Sequence, residues 1–485
     1  MTAKRARTGA ALGLVVATAA AGCTVGPNYR PPAIATPSSY AEAASTARTA
    51  VSGADADLSA WWTQFDDPLL TSLIERALAG SPTLASAQSK VREARLQEIV
   101  AGAAEYPKVS AAANAVRLAS PSDIQLPIPS PLNLYSVGFD ASWEVDLFGG
   151  TRRSVEAAKA GTEGSLWTLR DGEVQLTAEV ANAYLTLREV QARIVIGQAE
   201  LARQRGLFTI IEQRRQTGFV TNLDVNQQST AVETAAAQLP QLAAQASTQI
   251  HALAVLIGQP PEALAKELSA GPATIPPPPP ALPVGLPSQL LLRRPDIRAA
   301  ERRLAAANAQ IGVKTADLYP KVDLIGLASL ASTSVGNLFS TNNFSSVLLA
   351  MGSETLFDAG RTRAQIGEAR EERTQALLAW RNTVLGALRD VEDALARYRS
   401  EEERRTHLVQ SVNAARSTLA IAEDQYRTGF VTFINVLAAQ NALLNAQDQL
   451  TQSEALVASD LVAVYKALGG GWSTAPPPPR KDEGP

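Results

Sequence analysis

Tyr135-Ser136-Val137-Gly138-Phe139-Asp140-Ala141-Ser142-Trp143-Glu144-Val145-Asp146-Leu147 is the stretch that decides the fold. Tyr135, Val137, Phe139, Ala141, Trp143, Val145 and Leu147 are apolar, and every residue between them is polar or glycine. A β-strand points successive side chains to opposite faces, so this ribbon is greasy on one side and wet on the other. Its length matches the ~9–11 residues that cross a bilayer obliquely, and its two faces suit lipid outside and water inside. A strand of a soluble sandwich can alternate in the same way, so the reading leans on the rest of the chain. Weaker alternation marks three further candidate strands, Val109 to Leu118, Val322 to Leu330 and Val347 to Phe357.

Four strands do not close a barrel, which needs roughly eight or more. A bare sheet edge in lipid leaves its N–H and C=O groups unpaired. A barrel built from this chain is therefore shared among several identical copies. That argument requires an oligomer without fixing the number of subunits.

Outside the strands the pattern is helical. Leu176, Val180, Ala183, Leu187, Val190, Ile194, Gly197 and Leu201 step alternately by four and three, a seven-residue repeat that makes helices supercoil. Leu408, Val412, Ala415, Leu419, Ala422 and Tyr426 repeat it, as do Val457, Leu461, Val464 and Leu468. No proline interrupts Thr151 to Gln216, and a helix over that span would reach roughly 95 Å. Ala183, Gly197 and Ala415 are small enough for neighbouring helices to approach closely.

The chain is written twice. Tyr106-Pro107-Lys108-Val109 recurs as Tyr319-Pro320-Lys321-Val322, and Thr217-Gly218-Phe219-Val220-Thr221 recurs as Thr428-Gly429-Phe430-Val431-Thr432. Phe148 and Phe357 also correspond, as do Val225 and Val436. The expected organisation is a signal peptide over 1–22, an N-terminal segment with a first helix over 23–80, and one repeat over 81–270. A proline-rich linker over 271–294 and the second repeat over 295–470 follow. Each repeat holds a helix, two strands, a long helix and a further helix. The linker, with Pro276 to Pro280, favours semi-rigid polyproline II. The tail over 471–485, rich in proline and charge from Pro476, is expected to be disordered.

Composition excludes several functions. Of 485 residues, 44 are Lys or Arg and 47 Asp or Glu, a net charge of -3 that argues against nucleic acid as a partner. Two histidines, His251 and His407, and a single cysteine leave too few ligands for a His/Cys metal site. Both histidines lie in helical stretches at seam or solvated positions. No carboxylate cluster, nucleophile–base pair or glycine-rich phosphate loop stands out, so an enzyme such as a peptidoglycan hydrolase is not expected. Lys4, Arg5 and Arg7 precede a short apolar run, Ala10 to Ala21, which is too short to span a bilayer and reads as a signal peptide. Ala20-Ala21-Gly22-Cys23 resembles a bacterial lipobox, departing at Ala20 where leucine is usual. It implies a covalent lipid on Cys23 and no other cofactor. Thr24 follows, so the aspartate that retains lipoproteins in the inner membrane is absent.

Four longer motifs carry a family resemblance: Trp61-Trp62-Thr63-Gln64-Phe65-Asp66-Asp67-Pro68-Leu69-Leu70, Arg293-Arg294-Pro295-Asp296-Ile297-Arg298-Ala299-Ala300-Glu301, Leu356-Phe357-Asp358-Ala359-Gly360-Arg361 and Tyr426-Arg427-Thr428-Gly429. Over nearly its whole mature length the chain is similar to the TolC-like outer-membrane efflux lipoproteins of the NodT type. The resemblance implies a mixed α+β membrane protein of the cell outer membrane. A homotrimer would share a twelve-stranded transmembrane β-barrel, continued by a coiled-coil α-helical barrel into the periplasm. It implies a passive exit duct for small molecules such as drugs or toxic metabolites. The partners would be a periplasmic adaptor, an inner-membrane transporter of the resistance-nodulation-division class, and outer-membrane lipid. A duct for type I protein secretion, or a coiled-coil lipoprotein without a channel, would be the alternatives.

By the same resemblance Thr217, Gly218, Phe219, Val220 and Thr221, with Thr428, Gly429, Phe430, Val431 and Thr432, form the periplasmic tip where an adaptor docks. Asp224 and Tyr426 fall where the family makes a polar latch between helices. Asn435 and Ala438 stand at the family's two aspartate positions, so the acidic ring of some members departs here. Trp61 and Trp62 are expected to pack the N-terminal segment.

Overall fold

The computed structural model describes residues 24–45, 49–50, 58–119, 131–269, 273–279, 282–283 and 287–473. The signal peptide, Cys23, parts of the linker and the tail beyond Ser473 lie outside the described residues. The element order repeats itself. Helices α1 (Pro68–Gly80) and α2 (Pro82–Ala103) lead into strands β1 (Lys108–Leu118) and β2 (Leu132–Glu144), then helices α3 (Gly150–Gln216) and α4 (Asn222–Leu256). The second half runs α5 (Pro295–Ala316), β3 (Lys321–Ser332), β4 (Phe344–Ser353), α6 (Arg361–Thr428) and α7 (Phe433–Ala467). Corresponding helices are 22 and 22, 67 and 68, and 35 and 35 residues long, so the duplication written in the sequence is kept in the backbone. Among the described residues no helix is long and apolar enough to cross a membrane.

The chain divides into two compact units. The first comprises Lys90–Leu166, Ala299–Arg381 and the described part of Met1–Ala33, and it holds the sheet. Its strands lie in the order β1-β2-β3-β4, all antiparallel. The register places Phe139 opposite Ala111 on one side and Ala328 on the other. Residues directly opposite share a face, so Val137, Phe139 and Trp143 align with Ala111, Ala113, Leu324 and Leu330 on one surface. Ser110, Asn114, Asp140, Ser142, Ser329 and Ser345 share the other, where the Ser110 hydroxyl donates to Asp140 Oδ2 at 2.8 Å. The separation is clean over Tyr135 to Glu144 of β2; at the far end of the β1–β2 pair Val116, Leu118, Leu132 and Leu134 lie on the polar face and Arg117 and Asn133 on the apolar one. In β3 and β4 apolar Ile325, Leu327, Val347 and Leu349 also occupy the polar face.

The second and fourth strands depart most from the sequence expectation, the second beginning three residues earlier, at Leu132. The fourth strand is Phe344–Ser353 rather than Val347 to Phe357. Asp358 accepts from the N–H groups of Gly360 and Thr362 at 2.9 and 2.8 Å, which starts α6 and draws the preceding residues off the ladder. The second strand ends its ladder at Glu144, although the Val145 N–H still donates to Val322 O at 2.8 Å.

The same unit seats the segment that follows Cys23. The Val25 N–H donates to Phe148 O at 3.0 Å. Buried Arg153 donates to Val25 O at 3.1 Å and Asn28 Oδ1 at 2.7 Å, and Asn308 donates to Pro27 O at 2.8 Å. Gly26 crosses Gly312 so closely that a Cβ on Gly26 would lie 2.5 Å from the Gly312 Cα.

The second unit comprises Ile34–Ser89, Trp167–Arg298 and Asn382–Pro485. Asp67 caps α1 by accepting from the N–H groups of Leu69 and Leu70 at 2.9 and 3.0 Å, and Pro68 fits the first helical position. Leu70, Leu73, Ile74 and Ala77 form the buried stripe of that helix. Trp61 stacks on Tyr465 with centroids 5.3 Å apart, and Trp62 lies edge-on to it, so the two tryptophans are core residues. The heptad seam is buried where expected, at Val180, Leu187 and Val190 on α3 and Val457, Leu461 and Val464 on α7. A Cβ on Gly197 would meet Leu239 Cδ2 at 3.0 Å, so the glycine sets the approach of α3 to α4.

The 271–294 linker is not wholly extended: Pro287–Arg293 forms a short helix whose Leu290 is buried. At the start of the expected 471–485 tail, the Gly471 N–H donates to Leu58 O at 2.9 Å and Trp472 Nε1 to Arg293 O at 3.1 Å; the residues beyond Ser473 lie outside the described ones. The Arg293–Glu301 motif contributes a clasp within this unit. Arg294 pairs with Asp296 at 2.7 Å and Asp390 at 3.3 Å, and donates to Ala467 O at 3.1 Å. Its two carboxylates outweigh burial and hold its guanidinium above the usual arginine range.

Candidate functional site

The sequence points to the two turns that join the long helices to their partners. Between α3 and α4, Gly218 takes φ +81°. The Gly218 N–H donates to Arg215 O at 3.0 Å and the Phe219 N–H to Arg214 O at 2.9 Å, which closes the carbonyl end of α3. Thr221 then opens α4 with a capping box: its backbone N–H and its hydroxyl both donate to Asp224 Oδ2 at 2.8 Å, while its Oγ1 accepts from the Asp224 N–H. Thr217 completes the turn through its hydroxyl, 2.9 Å from Arg214 O.

The second turn repeats this chemistry with one change. Gly429 takes φ +79°, and the Phe430 N–H donates to Gln425 O at 2.9 Å. The Thr428 hydroxyl donates to Gln425 O at 3.1 Å. Thr432 precedes α7, but Asn435 replaces the carboxylate. Its amide donates to Thr432 Oγ1 at 3.0 Å, and Thr432 makes no side-chain cap. The second hairpin therefore lacks both the cap and the negative charge that suit a helix N-terminus. Both turns expose an aromatic ring: Phe219 is 82% and Phe430 84% exposed. Val220 and Val431 are half-buried beside them.

Above the turns the two hairpins share a core of Ile211, Val412, Leu419, Phe433, Val436 and Leu443, with Tyr426 and Val225 against it. The structure does not join Asp224 to Tyr426. The Asp224 carboxylate is occupied by Thr221, and the Tyr426 hydroxyl is buried with no hydrogen-bond partner among the described residues. The Tyr426 ring instead packs 5.6 Å from Phe433 and lies 5.2 Å from the guanidinium of Arg214. Ala438 is exposed on α7.

Sequence reading missed a polar node higher on the same helices. Buried Gln228 donates to Gln204 Oε1 at 2.6 Å, and Gln204 donates to Gln440 Oε1 at 3.1 Å. Glu200 accepts from Gln204 and pairs with Arg203. Only the interruption of an apolar seam by glutamine could have signalled it. Both histidines are exposed, and neither enters a site.

The chain is similar to known proteins in sequence and in fold. The family model described as outer membrane efflux protein matches residues 73–259 and again 286–470. The pyoverdine export outer membrane protein OpmQ of Pseudomonas putida is 35% identical over 427 residues, 86% of this chain and 89% of that one. The outer membrane protein OprJ of Pseudomonas aeruginosa is 30% identical over 461 residues, 95% of each. The solved outer-membrane channel OprN superposes with a TM-score of 0.86 at 35% identity, covering 93% of this chain and all of that one. With the family matched in both halves and the channel fold shared along its length, this chain belongs to the outer membrane efflux protein family and is an efflux channel component of the outer membrane.

Proposed function

We propose that three copies of this chain join their sheets into one twelve-stranded barrel and form the passive exit duct of a tripartite pump. The observation that carries this is the sheet. It has an apolar face, and its two outer strands, β1 and β4, bond no further strand among the described residues. Lipid cannot solvate such edges, and twelve strands fall in the range of barrels with an aqueous lumen. A periplasmic adaptor and an inner-membrane transporter of the resistance-nodulation-division class complete the pump, and that transporter supplies the energy. The duct itself turns nothing over. The cargo class is small molecules; pyoverdine and toluene are cargoes in the names of relatives.

The adaptor docks on Thr217 to Thr221 and Thr428 to Thr432. Support comes from the exposed Phe219 and Phe430, apolar rings that no described residue covers. Asp224, Tyr426 and Asn435 lie within a turn or so of these loops and form the gate, Asp224 and Tyr426 bridging in a second conformation. A lipid on Cys23 anchors the segment that Arg153 seats, and no other cofactor takes part.

Mass measurement of the detergent-solubilised particle and conductance in planar bilayers test this reading. The expected result is a three-chain particle that passes ions, with a higher conductance for Asp224→Ala combined with Tyr426→Phe. A single non-conducting chain would overturn the duct, and unchanged conductance in the double variant would remove the gate alone.

A further inference from the structure

Phe148 and Tyr319 stack inside the chain, with centroids 4.7 Å apart and planes 19° from parallel. Tyr319 lies two residues before β3 begins, and Phe148 lies four residues after β2 ends. β2 and β3 are neighbours in the sheet, so the stack locks the base of the seam where the first repeat meets the second. The duplication supplies the same two residues at the opposite edges. Tyr106 lies two residues before β1, and Phe357 lies four residues after β4. Here the rings stand open among the described residues: Tyr106 is 71% and Phe357 87% exposed.

Both rings are held on ordered backbone. The Tyr106 N–H donates to Ala103 O at 3.2 Å, with Pro107 next in the chain. Phe357 precedes Asp358, whose carboxylate is fixed by three donors from Gly360 and Thr362. A large aromatic side chain fixed in water at the base of an open strand edge is an unfilled half of a contact.

We infer that Phe357 of one chain stacks on Tyr106 of the next, closing each β4–β1 seam as Phe148 and Tyr319 close the β2–β3 seam. The occupant of the exposed site is a second copy of this chain, because the internal pair already shows which ring each one fits. The inference rests on the shared barrel and goes further by naming the side chains that set its closure. Both are positioning residues of the assembly.

Full-length chain in mild detergent carrying Phe357→Cys and Tyr106→Cys, treated with a short bismaleimide, tests the pair. Covalent two- and three-chain bands are expected from the double variant and none from either single variant, which also controls for the native Cys23. In parallel, Phe357→Leu and Tyr106→Leu should each lower the temperature at which the oligomer dissociates in SDS, and together lower it no further than either alone. An intact, conducting oligomer without interchain cross-links, or strictly additive shifts, would overturn the pair and leave the shared barrel standing. Failure of the unaltered chain to form an oligomer would instead overturn the shared barrel and this inference with it.

Discussion

Single side chains in this protein hold distant segments through competition for partners. Asp67 caps α1 and also receives the Tyr184 hydroxyl at 2.6 Å. Burial first, and that carboxylate second, push the Tyr184 phenol well above its usual range. Asp67→Ala removes a cap and strands a buried hydroxyl, so it should destabilise by about 2–3 kcal/mol, while Tyr184→Phe should cost about 1 kcal/mol. Thermal unfolding of the detergent-solubilised protein measures both. Asp460 on α7 behaves differently. Burial pushes its carboxyl up to about 6, Arg397 offsets part of that, and Glu401 adds to it. Between pH ~4 and ~6 the folded chain keeps a proton that the unfolded chain has lost. Stability at this site therefore falls as pH rises through that window and stays lower above it. The size is on the order of 1–2 kcal/mol after discounting for partial exposure. Asp460→Asn should flatten the difference in unfolding temperature between pH 4 and pH 7, and an unchanged slope would assign it to other groups.

At the scale of elements, the sheet and the hairpins obey different rules. The two faces of β2 face different media, so the same charge has opposite consequences one to three residues apart. Phe139→Arg places a guanidinium on the apolar face and should cost about 2–4 kcal/mol, seen as loss of oligomer from the outer-membrane fraction. Ser142→Arg faces the polar side with Asp140 and should assemble normally. Equal loss in both variants would contradict the assignment of faces. These faces were legible from alternation alone across Tyr135 to Glu144. They were less legible in β4, where apolar residues occupy both sides and the strand was expected three residues late. Alternation marks a strand by the contrast between its faces, and β4 has little contrast. The long helices were legible almost to the residue, since a seven-residue repeat states both the period and the side that is buried.

For the whole molecule, duplication is the organising fact. Two copies of one strand–helix unit give a four-stranded sheet whose internal seam is complete and whose outer edges repeat its two halves. In the proposed assembly the same seam would be propagated around a ring, and a three-chain particle is the mass that solution measurement should find. The paired hairpins follow the same logic with a difference: one keeps the Thr221–Asp224 capping box and the other carries Thr432 and Asn435. The two turns are thus alike in shape and unlike in charge.

The sequence by itself determined the element order, the repeat, the faces of the clearest strand, the heptad seams and the glycines of the two turns. Each of these is set by neighbours along the chain, through side-chain period or backbone conformation. Only the tertiary structure decided that Asp224 bonds Thr221 rather than Tyr426, that Arg214 covers the Tyr426 ring, that Gln204 bridges Gln228 and Gln440, and that Arg153 seats the segment after Cys23. Those choices depend on which of several eligible partners comes within hydrogen-bonding reach once helices far apart in sequence are packed, and spacing along the chain does not encode that distance.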